Sequence, residues 1–168
     1  MIGYFKRSAL TKEVLNDGWL NTGDLGMTTI SGDLIIRGRA KDTIVLLGGE
    51  NVEPLQIEER IQESKFVDRA VVVGQDQKAL AALVIVNTDM IEDYAASTGI
   101  DGDIDKLIDH SNIRKLIETE VASRVNASHG FKPFELISRT KLLHRPFEVG
   151  RELSHKQEVK RNVIALLY

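Results

Sequence analysis

Thr43-Ile44-Val45-Leu46-Leu47-Gly48-Gly49-Glu50-Asn51-Val52-Glu53-Pro54-Leu55-Gln56-Ile57-Glu58-Glu59-Arg60-Ile61 runs from a compact apolar strand, through a glycine pair, into an amphipathic helix. Pro54 stands where a first helical turn tolerates proline, and Ile57 and Ile61 repeat at i, i+4 among charged residues, which predicts a helix over 53–64. Downstream, 66–73 and 80–86 are valine-rich strands separated by a polar turn at 74–78, so they should pair antiparallel. Asp89 and Glu92 have capping-box spacing and open a short helix that ends at Gly99; 100–105 is an acidic loop. Ile113, Leu116, Ile117, Val121 and Val125 mark the clearest helix, ending before Gly130. An extended stretch follows over 134–143, and a second capping box, Ser154 with Gln157, predicts a terminal helix carrying Val159, Val163 and Leu166. The order strand, helix, strand, strand, helix, helix, strand, helix implies an α+β domain with a small, mostly antiparallel sheet and helices packed on it.

Upstream of this block, 1–5 is apolar and strand-like and 10–15 weakly helical. Leu20, 23–26, 28–30 and 34–39 are short strands joined by turns, a small β-meander with its tightest reversal at Gly32-Asp33. The polar interval Ala40-Lys41-Asp42 is the expected border, giving domains of 1–40 and 41–168.

The 168 residues, 42% hydrophobic, suffice for one ordinary domain with a core, or for a small domain carrying a piece of another. With 22 basic and 25 acidic side chains the net charge is −3, which gives no electrostatic case for nucleic acid or an anionic membrane. The absence of cysteine excludes disulfides, a thiolate nucleophile and a thiolate zinc site. No apolar run is long enough for a transmembrane helix, so the expected location is cytoplasmic, or peripheral at a membrane. No metal site is expected.

Three clusters could carry chemistry. Asp24, in Thr22-Gly23-Asp24, offers a carboxylate to paired hydroxyls such as those of a ribose; the plainer alternative is a turn aspartate bonded to nearby amides. Arg39 after Gly38 offers a cationic fork to phosphate, or else makes a surface ion pair. Gly48-Gly49-Glu50 lets a ligand approach bare backbone, or serves only a turn.

Taken in order, Gly18-Trp19-Leu20-Asn21-Thr22-Gly23-Asp24-Leu25-Gly26, Ile36-Arg37-Gly38-Arg39-Ala40-Lys41-Asp42 and Leu47-Gly48-Gly49-Glu50-Asn51-Val52-Glu53-Pro54 resemble the adenylate-forming acyl-CoA synthetases. The Gly-Glu-Asn-Val-Glu-Pro wording is most similar to long-chain fatty acid–CoA ligases. The resemblance covers the whole chain but only the C-terminal quarter or so of such an enzyme. It implies a remnant of the large adenylation domain over 1–40 and the small mobile C-terminal domain over 41–168. Asp24 and Arg39 would bind ATP, Lys41 would be the hinge, and Gly48, Gly49 and Glu50 would form the loop facing CoA. Fatty acid, ATP with Mg2+, and CoA would be the substrates and co-substrates of the full-length enzyme, with none held tightly by this chain. The family's phosphate loop and acyl pocket would lie upstream, so the isolated chain is expected to be inactive. An ungapped register places Glu158 where the family has its adenylation lysine. Lys156 is then the candidate catalytic residue, in the first turn of the predicted terminal helix, and Lys160 is the alternative. Glu158 also leaves open a second reading: a degenerate, non-enzymatic small domain that binds a ligand or partner.

Overall fold

The computed structural model describes residues 1–168, which form two compact units, Met1–Asp42 and Thr43–Tyr168.

In the first unit, helix α1 (Ser8–Val14) leads into a minimal hairpin of β1 (Leu15–Asn16) and β2 (Trp19–Leu20). Its two-residue turn, Asp17-Gly18, has positive φ at both positions, 48° and 82°, the twist that tight hairpins favour. A longer antiparallel hairpin follows, β3 (Asp24–Thr28) with β4 (Leu34–Arg39), interrupted by a register shift at Leu25/Gly26. The expected strand over 1–5 does not form. The Tyr4 amide bonds the Thr11 hydroxyl at 2.9 Å, so this segment folds back on α1 instead of pairing with a strand.

In the second unit, β5 (Ile44–Val45) and β6 (Asn51–Val52) form a short hairpin, where the sequence suggested one longer strand over 43–47. Helix α2 (Pro54–Gln62) starts at the proline and buries Ile57 and Ile61. Strands β7 (Val67–Val73) and β8 (Leu80–Val86) pair antiparallel, and β9 (Ile137–Leu143) adds to β8 in parallel, giving the order β7-β8-β9. β8 is covered on both faces, which explains its unbroken apolar run, Leu-Ala-Ala-Leu-Val-Ile-Val. Leu80, Ala82, Val84 and Val86 face one core, shared with α2 and with α3 (Thr88–Thr98) and α5 (Ser111–Arg124), which supply Ile91 and Ile113, Ile117 and Val121. Leu83 and Ile85, with Val71, face a smaller core closed by Phe147, Leu153 and Ile164.

Two caps differ from the sequence expectation. α3 is capped by Asn87, whose side-chain oxygen accepts from the Met90 amide at 3.1 Å, so the Asp89/Glu92 pair is not the cap. The expected loop over 100–105 runs into a single turn of helix, α4 (Ile104–Leu107), capped by Asp103. The Ser154/Gln157 pair caps no helix either. The terminal helix α6 spans Arg161–Leu167, and Ser154 instead closes a turn described below.

Arg161, the first residue of α6, joins three elements. Its guanidinium forms a bidentate pair with Glu58 of α2, Nη2 to Oε2 at 2.8 Å and Nη1 to Oε1, while Nη1 also donates to the Val72 carbonyl of β7 at 2.9 Å. The Glu58 Oε1 accepts from the Val72 amide at 2.7 Å. Both side chains are largely buried, 18% and 7% exposed, so removing one partner leaves an uncompensated charge in the interior. Arg161→Met is expected to cost about 3 kcal/mol or more in urea unfolding. The double variant Arg161→Met/Glu58→Gln, which keeps an acceptor for the Val72 amide, should recover most of that loss; equal destabilisation of both variants would show that the pair is not what anchors α6.

Candidate functional site

Asp24 and Arg39 are direct cross-strand neighbours in the β3–β4 register, and Arg39 Nε lies 2.9 Å from Asp24 Oδ1. The aspartate therefore does not serve its own turn. The turn is held by other groups: Asn21 Oδ1 accepts from the Gly23 amide at 3.0 Å, the Thr22 hydroxyl accepts from the Asp24 amide at 3.2 Å, and Gly23 takes φ 74°. Asp24 and Arg39 are one-third to one-half exposed, so they present an oriented carboxylate and guanidinium to solvent as a pair. Lys41 follows in the single 3-10 turn Ala40–Asp42, at the end of the same unit.

Gly48, Gly49 and Glu50 form the β5–β6 turn. The Gly49 amide bonds the Leu46 carbonyl at 2.8 Å and the Leu46 amide bonds the Glu50 carbonyl at 2.9 Å. Gly49 needs its φ of 88°, which side chains resist, and a Cβ on Gly48 would collide with the Glu50 carboxylate folded above it. The hairpin is fastened to the β7–β8 turn by three bonds: Leu47 N to Gln77 O at 2.8 Å, Asp76 N to Val45 O at 2.9 Å, and Val45 N to Gln75 Oε1 at 3.0 Å. At its base Thr43 donates to Glu53 at 2.7 Å.

The segment with Lys156, Glu158 and Lys160 is a closed turn. Leu153 and Val159 form an antiparallel bridge, the Ser154 amide bonds the Glu158 carbonyl at 2.8 Å, and the Ser154 hydroxyl accepts from the amides of Lys156 and Glu158 at 3.2 and 3.1 Å. Gln157 sits at φ 62°. Lys156 is exposed on this turn, outside any helix, so the expectation that it occupies a first helical turn is corrected. Lys160 is the N-cap residue of α6, and its Nζ donates to the Gly150 carbonyl at 3.1 Å, which binds it to the neighbouring 148–152 turn. Thus the structure brings Asp24 to Arg39, and gathers Lys156, Glu158 and Lys160 in one short segment. No group of three or more His, Asp or Glu side chains is placed to hold a metal ion.

The sequence reading missed the groups that fix this segment. Glu58 falls on the apolar stripe of α2 beside Ile57 and Ile61, and a carboxylate there was the available signal for a buried partner. Glu152, 2% exposed, had no such signal. Its carboxylate accepts from the Glu148 amide at 3.0 Å and the Tyr168 hydroxyl at 2.9 Å, with Arg151 Nε at 3.2 Å, and its carbonyl accepts from the Lys160 amide at 2.9 Å. Burial alone would push this carboxyl up, but the Glu148 amide and the Tyr168 hydroxyl outweigh it, and the pKa is held below the ordinary carboxylate value. Burial and the nearby Glu152 carboxylate push the Tyr168 phenol up.

Because Glu152 is depressed, its stabilisation is complete above the unfolded carboxylate value and is lost as pH falls through the folded one. Because Tyr168 is raised, its stabilisation holds below the unfolded value, about pH 10, and is lost as pH rises through the folded one. Tyr168→Phe is accordingly expected to lower Tm at neutral pH, to weaken the acid-side dependence and to remove the alkaline limb due to this phenol. Thermal unfolding followed from about pH 3 to 11 checks it.

Residues 41–165 match the family described as the AMP-binding enzyme C-terminal domain. A chloroplastic long-chain-fatty-acid–[acyl-carrier-protein] ligase of Arabidopsis thaliana is 47% identical over 98 residues, 52% of this chain and 14% of that protein. Long chain acyl-CoA synthetase 4 of Arabidopsis thaliana is 36% identical over 152 residues, 90% of this chain and 23% of that protein. The chain thus spans less than a quarter of the length of either relative. Among solved structures, the A-PCP didomain of the carboxylic acid reductase of Segniliparus rugosus, in complex with AMP, superposes with a TM-score of 0.75 at 21% identity, over 99% of this chain and 22% of that one. At that identity the likeness is one of fold.

Proposed function

The chain belongs to the AMP-binding enzyme C-terminal domain family, and from that premise we propose that it works as the C-terminal part of an ATP-dependent long-chain fatty acid–thiol ligase. The observation that carries this reading is the collinear similarity to a long-chain acyl-CoA synthetase over 90% of the chain. In such a ligase the fatty acid carboxylate attacks the α-phosphorus of ATP, forming acyl-AMP and releasing pyrophosphate, and a thiol then attacks the acyl carbon, forming the thioester and releasing AMP. On this reading 1–40 closes the large adenylation domain and 41–168 is the mobile small domain, with Lys41 as hinge.

Each residue then has a physical task. Asp24 accepts hydrogen bonds from the ribose hydroxyls of ATP, with Arg39 holding its carboxylate in orientation and offering a cation to the nucleotide. Mg2+ enters with the triphosphate, in keeping with its preference for phosphate oxygens. Lys156 is the better candidate for the adenylation cation, because Lys160 Nζ is already engaged by the Gly150 carbonyl while Lys156 is exposed on its turn. A cation so placed stabilises charge developing on the phosphate during adenylate formation. In the thioester step the Gly48-Gly49-Glu50 turn offers bare backbone to the pantetheine arm. That arm belongs to CoA, as in the acyl-CoA synthetases, or to an acyl carrier protein, as the name of the 47% identical relative specifies for that enzyme.

Glu158 favours a second reading, a non-enzymatic binding module, since it sets an anion where the resemblance asks for a lysine. Assay of an intact ligase carrying this segment separates the two. Lys156→Ala should slow adenylation, measured as palmitate-dependent ATP–pyrophosphate exchange, by at least about tenfold and leave thioester formation from preformed palmitoyl-AMP nearly unchanged. Lys160→Ala should act mainly on stability. If neither variant slows exchange by about tenfold, both lysine assignments are wrong. The 168-residue chain alone, with ATP, Mg2+, palmitate and CoA, should release neither pyrophosphate nor palmitoyl-CoA; robust turnover by it would overturn this division of labour.

A further inference from the structure

On the face of the sheet that carries α6, a cavity opens beside the helix. The register pairs Val73 with Ala81 and Ala81 with Arg139, then Val71 with Leu83 and Leu83 with Lys141, so these side chains form two adjacent rows on one face. The row through Leu83 is roofed by Ile164, whereas Ala81 contributes only a methyl group to the next row, and Ala79 adds another methyl to the lining. A cavity of about 370 Å³ results, floored by alanines and Leu83, closed by α6 on one side and by the Gly74–Gln77 turn on another. Its volume falls within the range of small-molecule sites.

The charge of its wall selects a ligand. Arg139 and Lys141 are the charged side chains lining it, and no Asp or Glu side chain does so. Lys141 Nζ lies over the Tyr168 ring, 5.5 Å from its centroid, and donates to the main-chain oxygen of Tyr168 at 3.3 Å, while Arg139 is exposed on the same strand. Side chains two residues apart on one strand face the same way, about 7 Å apart, so one anionic head can meet both cations. A second concave region of this unit, near His144, mixes four carboxylates with two arginines and makes no comparable selection.

We propose that this cavity is a binding site for a small amphipathic anion, with its carboxylate or phosphate head on Arg139 and Lys141 and its apolar body on Ala79, Ala81 and Leu83. None of the residues assigned above to nucleotide and thiol lines this cavity. It has a mechanical link to one of them, because the Gly74–Gln77 wall is the turn that holds the β5–β6 hairpin by three hydrogen bonds. A ligand that orders the wall also restrains the hairpin bearing Gly48-Gly49-Glu50, so occupancy becomes a signal to that loop.

The test titrates the 15N-labelled 168-residue chain separately with decanoate, AMP and inorganic phosphate and follows the backbone amides. Decanoate or AMP should give saturable shifts at 73–81 and 139–141 that extend to 45–50; the tighter of the two identifies a carboxylate or a phosphate head. Arg139→Gln/Lys141→Gln, which leaves the floor intact, should weaken binding at least about tenfold, the loss expected when charge-assisted bonds are removed. Ala81→Leu, which fills the cavity and keeps both cations, should weaken it similarly. The proposal is overturned by any of four results: no saturation by about 10 mM ligand, a range that weak sites still reach; phosphate alone binding as tightly as the larger anions; unchanged affinity in the double variant; or shifts centred on 23–24 and 39 instead of the cavity.

Discussion

The larger unit depends on the buried pair between Glu58 and Arg161. A carboxylate on the core-facing stripe of a helix costs several kcal/mol to desolvate unless its oxygens are satisfied. Here both oxygens meet the arginine fork and one also takes the Val72 amide, so α2, β7 and the first turn of α6 meet at one point. An apolar contact of the same area would let α6 slide or rotate over the sheet. The bidentate geometry fixes both, because a fork and a carboxylate align in one plane. Arg161 directly follows the 153–160 segment, so fixing it sets where that segment leaves the sheet.

The other end of the segment is tied by Glu152. Its carboxylate collects donors from Glu148, Arg151 and Tyr168, and its backbone carbonyl holds the Lys160 amide. Lys160 completes the frame through Gly150. What remains between these anchors, Ser154 to Glu158, is a turn wound around one serine hydroxyl, with Lys156 exposed on it. On the proposed reading, bringing a cation to a phosphate would need this combination: a rigid base and a side chain that the base does not consume.

Most of the architecture was legible because periodicity reports burial. The i, i+4 isoleucines of α2, the stripe of α5 and the valine-rich runs of β7 and β8 each gave an element of the right kind in the right place. What escaped was decided by pairings between residues far apart in sequence or by competition for one hydroxyl. Ser154 and Gln157 have the spacing of a capping box, yet the serine bonds amides of its own turn, and the helix starts seven residues later. The segment at 1–5 has strand-like composition but no strand to pair with, and composition cannot supply a partner. Within the candidate site, Asp24 and Arg39 were legible singly; their contact required the β3–β4 register. Glu152 and Tyr168, sixteen residues apart, carried no local pattern at all.

The first unit shows how far local bonding goes without a core. Every hydrophobic residue that is fully buried lies at Ile44 or beyond, while Ile2, Phe5, Trp19, Ile30 and Leu34 are mostly exposed. Its hairpins are specified by positive-φ turns, by the Thr29-Ser31-Asp33 hydroxyl–carboxylate bonds and by the Asp24–Arg39 pair. Those devices choose a register but bury little, and two-stranded hairpins are marginal alone in water. An apolar surface of this kind, on strands that already hold their register, suits a sheet that continues into further protein. On the proposed reading this surface is where the large adenylation domain would meet the unit, and strand pairing fixes Asp24 and Arg39 relative to one another.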